Sequence, residues 1–385
     1  MANENPREIR GLAIAETQGH VARLGSAEYE VKSQSGKGFY HVRFDGVWKC
    51  SCPDHIYREI KCKHIWACEL SSAIRERVQA QAVTIQAIGT LACVVCGSDA
   101  IVKDSLRHNK YGDIQRYLCK SCGKRFSFNL GFERMKARPE VITSAMQLYF
   151  TGESLRNVQK FLRLQGVNVS HVAVYKWIAK YVRLMEKYLD QIKPQVGDTW
   201  RADEMYLKVK GNPKYLYALL DDQTRFWIAK EVAGDKMSRE AVDYASQLFQ
   251  QGKEVTGKKP LTLITDGLKA YHLAYKREFF SLKAPRTEHL TWQDNGVDNR
   301  KMESFNGNTV RSREKTMRSL KKSDTPIIAG MQIFHNYLRP NQGIGNRTPS
   351  ELAGIEVQGE NKWVTLIQNA SRHPTVNRKM NHPRT

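Results

Sequence analysis

Thr199-Trp200-Arg201-Ala202-Asp203-Glu204-Met205-Tyr206-Leu207-Lys208-Val209 is the stretch on which the fold turns. Aromatic and branched residues give it the character of a strand, and Asp203 sits where burial is expected. Gly211-Asn212-Pro213 then marks a turn, Tyr215 to Leu220 a second strand ending at Asp221-Asp222, and Phe226 to Ala229 a third. An amphipathic helix from Ser238 to Gln250 follows this meander. Leu261-Thr262-Leu263-Ile264-Thr265-Asp266-Gly267 is a buried strand closed by an acid and a glycine, and a helix runs on from Lys269 to Phe279. Carboxyl ends of strands are where α/β folds place working groups. Glu303, in Asp298-Asn299-Arg300-Lys301-Met302-Glu303-Ser304-Phe305-Asn306-Gly307, precedes a basic helix. Singly, each acid reads as a turn cap or a surface residue; the order Asp203, Asp266, Glu303 is the signal. Glu204 reads as a solvated or salt-bridged neighbour, and as the substitute should Asp203 not be the working acid. Asp221 and Asp222 read as turn residues.

Upstream, the periodicity between Pro139 and Ile192 is helical. Val141, Ile142, Ala145, Met146, Leu148 and Tyr149 form one face, and Leu155, Val158, Phe161 and Leu162 a second. Gly166 breaks that helix, and Ser170 caps a third holding Val174, Trp177, Ile178 and Tyr181. Three helices with a turn before the last predict a helix-turn-helix. Its DNA-facing candidates are Ser170, His171, Tyr175, Lys176 and Lys180; a plain three-helix packing module is the alternative.

All eight cysteines lie between Cys50 and Cys122. Such confinement points to metal or redox chemistry, not to a disulfide framework. Cys93-Val-Val-Cys96-Gly and Cys119-Lys-Ser-Cys122-Gly are two knuckles able to close a thiolate tetrahedron around zinc. With hairpin-like stretches between them, they predict a zinc ribbon. Cys50-Ser-Cys52 leaves a hairpin turning at Asp45-Gly46, and Cys62-Lys-His64 opens a helical stretch. This CxC…CxH pattern resembles the SWIM zinc finger, which implies Cys50, Cys52, Cys62 and His64 as ligands. His55 could replace one of them, and Cys68 reads as a buried helix cysteine. Both zinc ions, one per module, are expected to be structural, because every coordination position is filled by protein.

Against this background the composition has a meaning. The chain of 385 residues carries 61 Lys and Arg against 39 Asp and Glu, a formal charge of +22, and a polyanionic partner is the first expectation. No apolar run reaches the length of a membrane span, and Met1 to His20 lacks the marks of a secretory signal. A cytoplasmic, nucleoid-associated protein is expected.

The surrounding words resemble those of the DDE-class transposases of prokaryotic insertion sequences, most closely the insertion-sequence-six type, over roughly residues 140–355. They are Leu155-Arg156-Asn157-Val158, Gly166-Val167-Asn168-Val169-Ser170, Trp200-Arg201-Ala202-Asp203-Glu204, Thr265-Asp266-Gly267 with Ala270-Tyr271, and Asn299-Arg300-Lys301-Met302-Glu303. Phe334-His335-Asn336-Tyr337-Leu338-Arg339-Pro340-Asn341 and Arg347-Thr348-Pro349-Ser350-Glu351-Leu352-Ala353-Gly354 complete them. The resemblance implies an RNase H-like mixed sheet that brings Asp203, Asp266 and Glu303 together around two Mg²⁺ or Mn²⁺ ions. Hard carboxylate oxygens suit those ions, and an ion pair of this kind supports in-line displacement at phosphorus. Related enzymes often carry a basic residue about seven positions beyond the glutamate; here that position is Val310, and Arg311 is the nearest candidate. Arg311, Arg313, Lys315, Arg318, Lys321 and Lys322 form a basic run beside Glu303 suited to backbone phosphates.

The fold class expected is therefore α/β and multidomain. A SWIM-like finger occupies 1–80, a zinc ribbon 88–132, a helix-turn-helix 138–193, an RNase H-like DDE domain 196–356, and a basic C-terminal tail 357–385. The function expected is DNA transposition: metal-dependent cleavage at element ends, then attack of the 3′-hydroxyl on target DNA, by a homodimer or larger synaptic assembly. A transposase-derived DNA-binding regulator and a two-metal nuclease are the rival readings.

Overall fold

The computed structural model describes residues 5–17, 20–24, 28–34, 38–79, 82–88, 92–108, 113–234, 236, 239–282, 286–291, 296–311, 320 and 325–373. Two compact units divide the chain, the first comprising 1–82, 260–262 and 281–288, the second 83–259, 263–280 and 289–385.

In the first unit, Asn5 caps helix α1 (Pro6–Glu16) through its side chain. A four-stranded sheet follows in the order β1 (Val21–Arg23), β2 (Glu28–Lys32), β3 (Phe39–Phe44), β4 (Trp48–Cys50). The expected hairpin at Asp45-Gly46 is the β3–β4 turn, with Phe44 paired to Trp48. Helices α2 (Pro53–Arg58) and α3 (Lys63–Gln79) complete the unit. Its core is small: Ile14, Tyr29, Val31, Val42, Ile65 and Ala67, together with Cys50, Cys52, Cys62 and Cys68.

The second unit begins with β5 (Val83–Ile85), which pairs in parallel with β14 (Ile355–Val357). A three-stranded sheet, β6 (Ile101–Arg107), β7 (Ile114–Cys119) and β8 (Arg125–Phe126), forms next around its own cluster of Cys93, Cys119 and Phe126. Helices α4 (Pro139–Thr151), α5 (Leu155–Leu164) and α6 (His171–Leu189) follow. Ser154 and Ser170 cap the latter two through their side chains, as serine does at helix starts.

The five-stranded sheet runs β11 (Trp227–Ala233), β10 (Asn212–Asp221), β9 (Thr199–Val209), β12 (Thr262–Thr265), β13 (Glu288–Thr291). β9, β10 and β11 are the expected antiparallel meander. Helix α7 (Arg239–Thr256) covers β10 and β11, and α8 (Lys269–Glu278) packs on α7. The helix Arg300–Phe305 passes into a π-helical turn, Asn306–Arg311. The helix Pro326–Ile333, likewise continued by a π turn, Phe334–Leu338, packs against α6. Within the span 357–385 expected as a basic C-terminal tail, residues 362–372 form a helix. Its apolar stripe (Trp363, Leu366, Ile367 and Ala370) is buried against α4 and α6; spacing of three and four residues outweighs the charge around it. No helix among the described residues is long and apolar enough to cross a membrane.

Candidate catalytic site and metal centres

β9 fixes Asp203 in the middle of the sheet, opposite Ala218 of β10. β12, its neighbour, ends at Thr265 and delivers Asp266 in the turn that follows. Gly267 holds that turn at φ +96°, a backbone conformation open to glycine and strained for other residues. Thr265 Oγ1 accepts from the Gly267 amide at 3.3 Å and pairs with His289 Nε2 at 2.9 Å, while Asp266 Oδ1 accepts from the Leu268 amide at 3.0 Å. Asp203, Glu204 and Asp266 bring carboxylate oxygens within 4.8 Å of one another.

Glu303 is exposed on the helix Arg300–Phe305 and is not within that 4.8 Å group. Its charge nevertheless reaches Asp203, and its helix is tied to β9 at several points. Asn306 Nδ2 donates to Asp203 Oδ2 at 2.8 Å, and Asn299 Nδ2 donates to the Ala202 carbonyl at 3.3 Å. Arg201 donates to the Asp298 carbonyl at 2.6 Å and pairs with Asp222; Lys301 pairs with Asp222 at 2.7 Å. Asp222 is thus a turn residue with a second task, anchoring the glutamate helix. Burial pushes its carboxyl up, but the hydrogen bonds from Lys301 and Arg201 outweigh this and hold it below the usual range. Asp221 is a buried turn cap, accepting from the Thr224 amide and hydroxyl.

The cluster carries a deficit of positive charge. Burial, then the charges of Glu204 and Asp266, push Asp203 up to about 7, with Glu303 adding to the effect. Burial and Asp266 raise Glu204 as well, against the pull of Lys236. Carboxylates crowded in this way are stable as anions when a cation joins them. Two buried oxygens beside the cluster, Glu204 Oε2 and Asn306 Oδ1, have no hydrogen-bond partner among the described residues. An all-oxygen donor set with unsatisfied acceptors fits a hard divalent cation such as Mg²⁺ or Mn²⁺.

Val310 and Arg311 acquire their places from the π turn. Seven residues on from Glu303 would be about two turns of an α-helix, and Val310 would stand over the glutamate. A π turn holds one residue more, so the eighth residue, Arg311, takes that angular position. Val310 is 2% exposed and belongs to the core, whereas Arg311 is exposed. Arg313, Lys315, Arg318, Lys321 and Lys322 lie outside the described residues.

The cysteines gather in two separate centres. Cys50, Cys52, Cys62 and His64 are all buried and offer ligand atoms within 4.8 Å of one another. Cys50 and Cys62 sulfurs lie 3.8 and 3.9 Å from His64 Nδ1. Hydrogen bonding from Cys50 pulls the Cys62 thiol down, and Cys50 is pushed up by that bond and by burial. His55 is turned away, its Nδ1 2.8 Å from the Ile60 carbonyl. Cys68 is fully buried in α3. In the second unit, Cys93 and Cys122 sulfurs stand 3.7 Å apart, and those of Cys96 and Cys119 3.6 Å. A tetrahedron with zinc–sulfur bonds of about 2.3 Å has edges of about 3.8 Å, so both donor sets fit zinc.

On α6, Tyr175 and Lys176 are exposed and His171 is half-buried. Ser170 Oγ is engaged in capping, accepting from the Ala173 amide at 3.1 Å. Lys180 folds back, its Nζ 3.4 Å from Met135 Sδ and 4.9 Å from the Tyr181 ring.

Residues 197–341, the segment that carries the three acids, match the family model of a DDE domain. Over that segment the chain is similar to a DDE domain. Two Staphylococcus aureus proteins, the transposase for insertion sequence-like element IS431mec and the transposase for insertion sequence element IS257 in transposon Tn4003, are each 27% identical over 164 residues. Those matches cover 42% of this chain and 69% of each relative. Among solved structures, the HTLV-2 integrase catalytic core domain in complex with magnesium aligns at 15% identity and a TM-score of 0.29, over 42% of this chain and 98% of that one. A simian T-cell lymphotropic virus intasome chain aligns at 15% identity and a TM-score of 0.30, over 42% and 56%.

Two side chains beside the acids complete the site. Of the two expectations for Glu204, solvated or salt-bridged, the second holds: its side chain is 3% exposed and pairs with Lys236 at 3.0 Å. Asn306, which holds Asp203, lies three residues beyond Glu303 and so on the same helical face; that spacing was the available signal.

Proposed function

We propose that this chain is the transposase of an insertion sequence, with Asp203, Asp266 and Glu303 as its catalytic acids. The observation that carries this is the convergence of Asp203 and Asp266 from neighbouring strands, with Glu303 on a helix tied to β9 by Asn299 and Asn306. Two divalent ions held by these acids would supply charge neutralisation and Lewis-acid stabilisation of the attacking and leaving oxygens. The chain's own part is positioning. Asn306 keeps one oxygen of Asp203 in place, Arg201 and Asp222 set the angle of the glutamate helix, and Arg311 offers a cation to the DNA backbone over Glu303. Water is the first nucleophile at the element end, and the freed 3′-hydroxyl is the second, at target DNA.

The helices α4 to α6 support an end-recognition role, with α6 as the major-groove helix and Tyr175, Lys176 and His171 at its exposed start. The two cysteine centres support structural zinc, one ion each, in small modules whose apolar cores are too slight to fold alone. Synapsis of two ends implies a dimer or larger assembly on DNA. Incubation of the zinc-loaded chain with Mg²⁺ and labelled insertion-sequence ends tests the reading. Joined products are expected; nicking without joining would make it a nuclease, and binding without cleavage a regulator.

A further inference from the structure

Glu204 is placed where the three-acid reading has no use for it. Consecutive strand residues face opposite sides of a sheet, yet an oxygen of Glu204 lies within 4.8 Å of oxygens from both Asp203 and Asp266. Its side chain is 3% exposed. One oxygen accepts from Lys236 Nζ at 3.0 Å, and the other, Oε2, is buried without a partner among the described residues. A structural ion pair of this depth is normally completed by hydrogen bonds to every remaining lone pair. Here one carboxylate oxygen is left over, beside two further acids. Lys236 is 38% exposed and stands in the segment between β11 and α7.

We infer that Glu204 is a fourth carboxylate ligand of the divalent-cation site, and that Lys236 is the resident cation which compensates it until a metal arrives. The inference rests on the carboxylate centre proposed above and adds a residue to it. Oε2 supplies the donor atom. The ammonium offsets the charge of the buried acid in the metal-free protein and yields when a divalent ion takes over that role. A lysine is suited to this part, being a flexible point charge without the fixed fork that ties arginine to one carboxylate geometry.

The test is binding of Mn²⁺ alone, followed by electron paramagnetic resonance, to the full zinc-loaded chain without DNA. Folding is checked by circular dichroism. Glu204→Gln should weaken Mn²⁺ binding by about tenfold or more, comparable with Asp203→Asn. Lys236→Met should tighten it several-fold, since the competing cation is gone. Unchanged Mn²⁺ affinity in folded Glu204→Gln would overturn the inference. So would unchanged or weaker affinity in Lys236→Met, which decides the matter should Glu204→Gln not fold. If Asp203→Asn loses Mn²⁺ while Glu204→Gln keeps it, Glu204 alone is misread. If the wild-type chain binds no Mn²⁺, the carboxylate centre itself fails.

Discussion

Cys93 and Cys122 hold their sulfurs 3.7 Å apart in a cluster whose buried members are Cys93, Cys119 and Phe126. Asp203 and Asp266 meet on neighbouring strands of a sheet whose core includes Trp200, Trp227, Tyr217, Leu219 and Phe249. Both arrangements crowd groups that repel as anions, but they stand in opposite relation to their surroundings. The cysteine centres are themselves much of the core they sit in, so the fold there depends on what binds them. The carboxylate centre is mounted on a core that exists without it. On the proposed reading, metal is a folding partner in the first case and a reagent in the second.

Removing zinc is the largest perturbation of that contrast. Chelation should unfold the N-terminal unit and the β6–β8 sheet, at a cost on the order of 10 kcal/mol per site, and leave the five-stranded sheet protected. Hydrogen exchange reads both at once; protection of β1–β4 surviving in the metal-free chain would break the comparison. Next comes Asp266→Asn, expected to lower strand cleavage by about three orders of magnitude or more. The melting temperature and zinc content should stay near wild type, as a reagent site requires. A protein that loses its fold on this change would place the carboxylates among the structural centres.

Proton linkage sharpens the same division. Asp203 has its folded pKa raised to about 7 from an ordinary 3.8. The folded state therefore binds the extra proton, and the stability it contributes is lost as pH rises through about 7. Without Mg²⁺, Asp203→Asn should be more stable than wild type by on the order of 3 kcal/mol at pH 8, with little difference near pH 4. Thermal melts across that range check it, and a difference independent of pH would refute the raised pKa that burial and the neighbouring acids give Asp203. His335, fully buried, works with the opposite sign: burial lowers its pKa to about 4, so its contribution is lost as pH falls from about 6.5 toward 4. Comparing the variant with wild type at each pH cancels that background.

The smallest effect separates neighbours. Arg311→Ala should weaken DNA binding across sequences and lower the salt slope by about one. Val310→Ala should leave that slope alone and cost about 1–3 kcal/mol of stability through a cavity. The reverse pattern would mean that the π turn does not set the register beyond Glu303.

Short-range patterns carried much of this molecule into view from sequence. Paired knuckles, the CxC and CxH words, the strand closing on Asp266-Gly267 and the Ser170 cap are all local, and each fixes its geometry within a few residues. What stayed hidden depends on distant partners. Glu204 reads as solvated or salt-bridged, and only Lys236, 32 positions on, decides for the second. Asn336 sits in a recognisable word, yet its work is to clasp the backbone of Trp227, accepting from its amide at 2.8 Å and donating to its carbonyl at 3.0 Å. Basic charge hid the apolar stripe of residues 362–372, and the pairing of β5 with β14 joins segments about as far apart as this unit allows.

Gly330 marks a close seam inside the second unit. A Cβ there would come within 2.2 Å of the Phe150 ring and 2.9 Å of Val182, so the helix Pro326–Ile333 is seated hard against α4 and α6. Lys230 of β11 adds a tie to α6, pairing with Glu186 at 3.3 Å. On the proposed reading, the helix that reads DNA and the sheet that cuts it are one rigid piece, and the unit acts as a ruler. The interval between the recognised base pairs and the cleaved phosphate is then set by the length of α6, about 28 Å for its 19 residues. Element ends with base pairs inserted in that interval should be bound but left uncut.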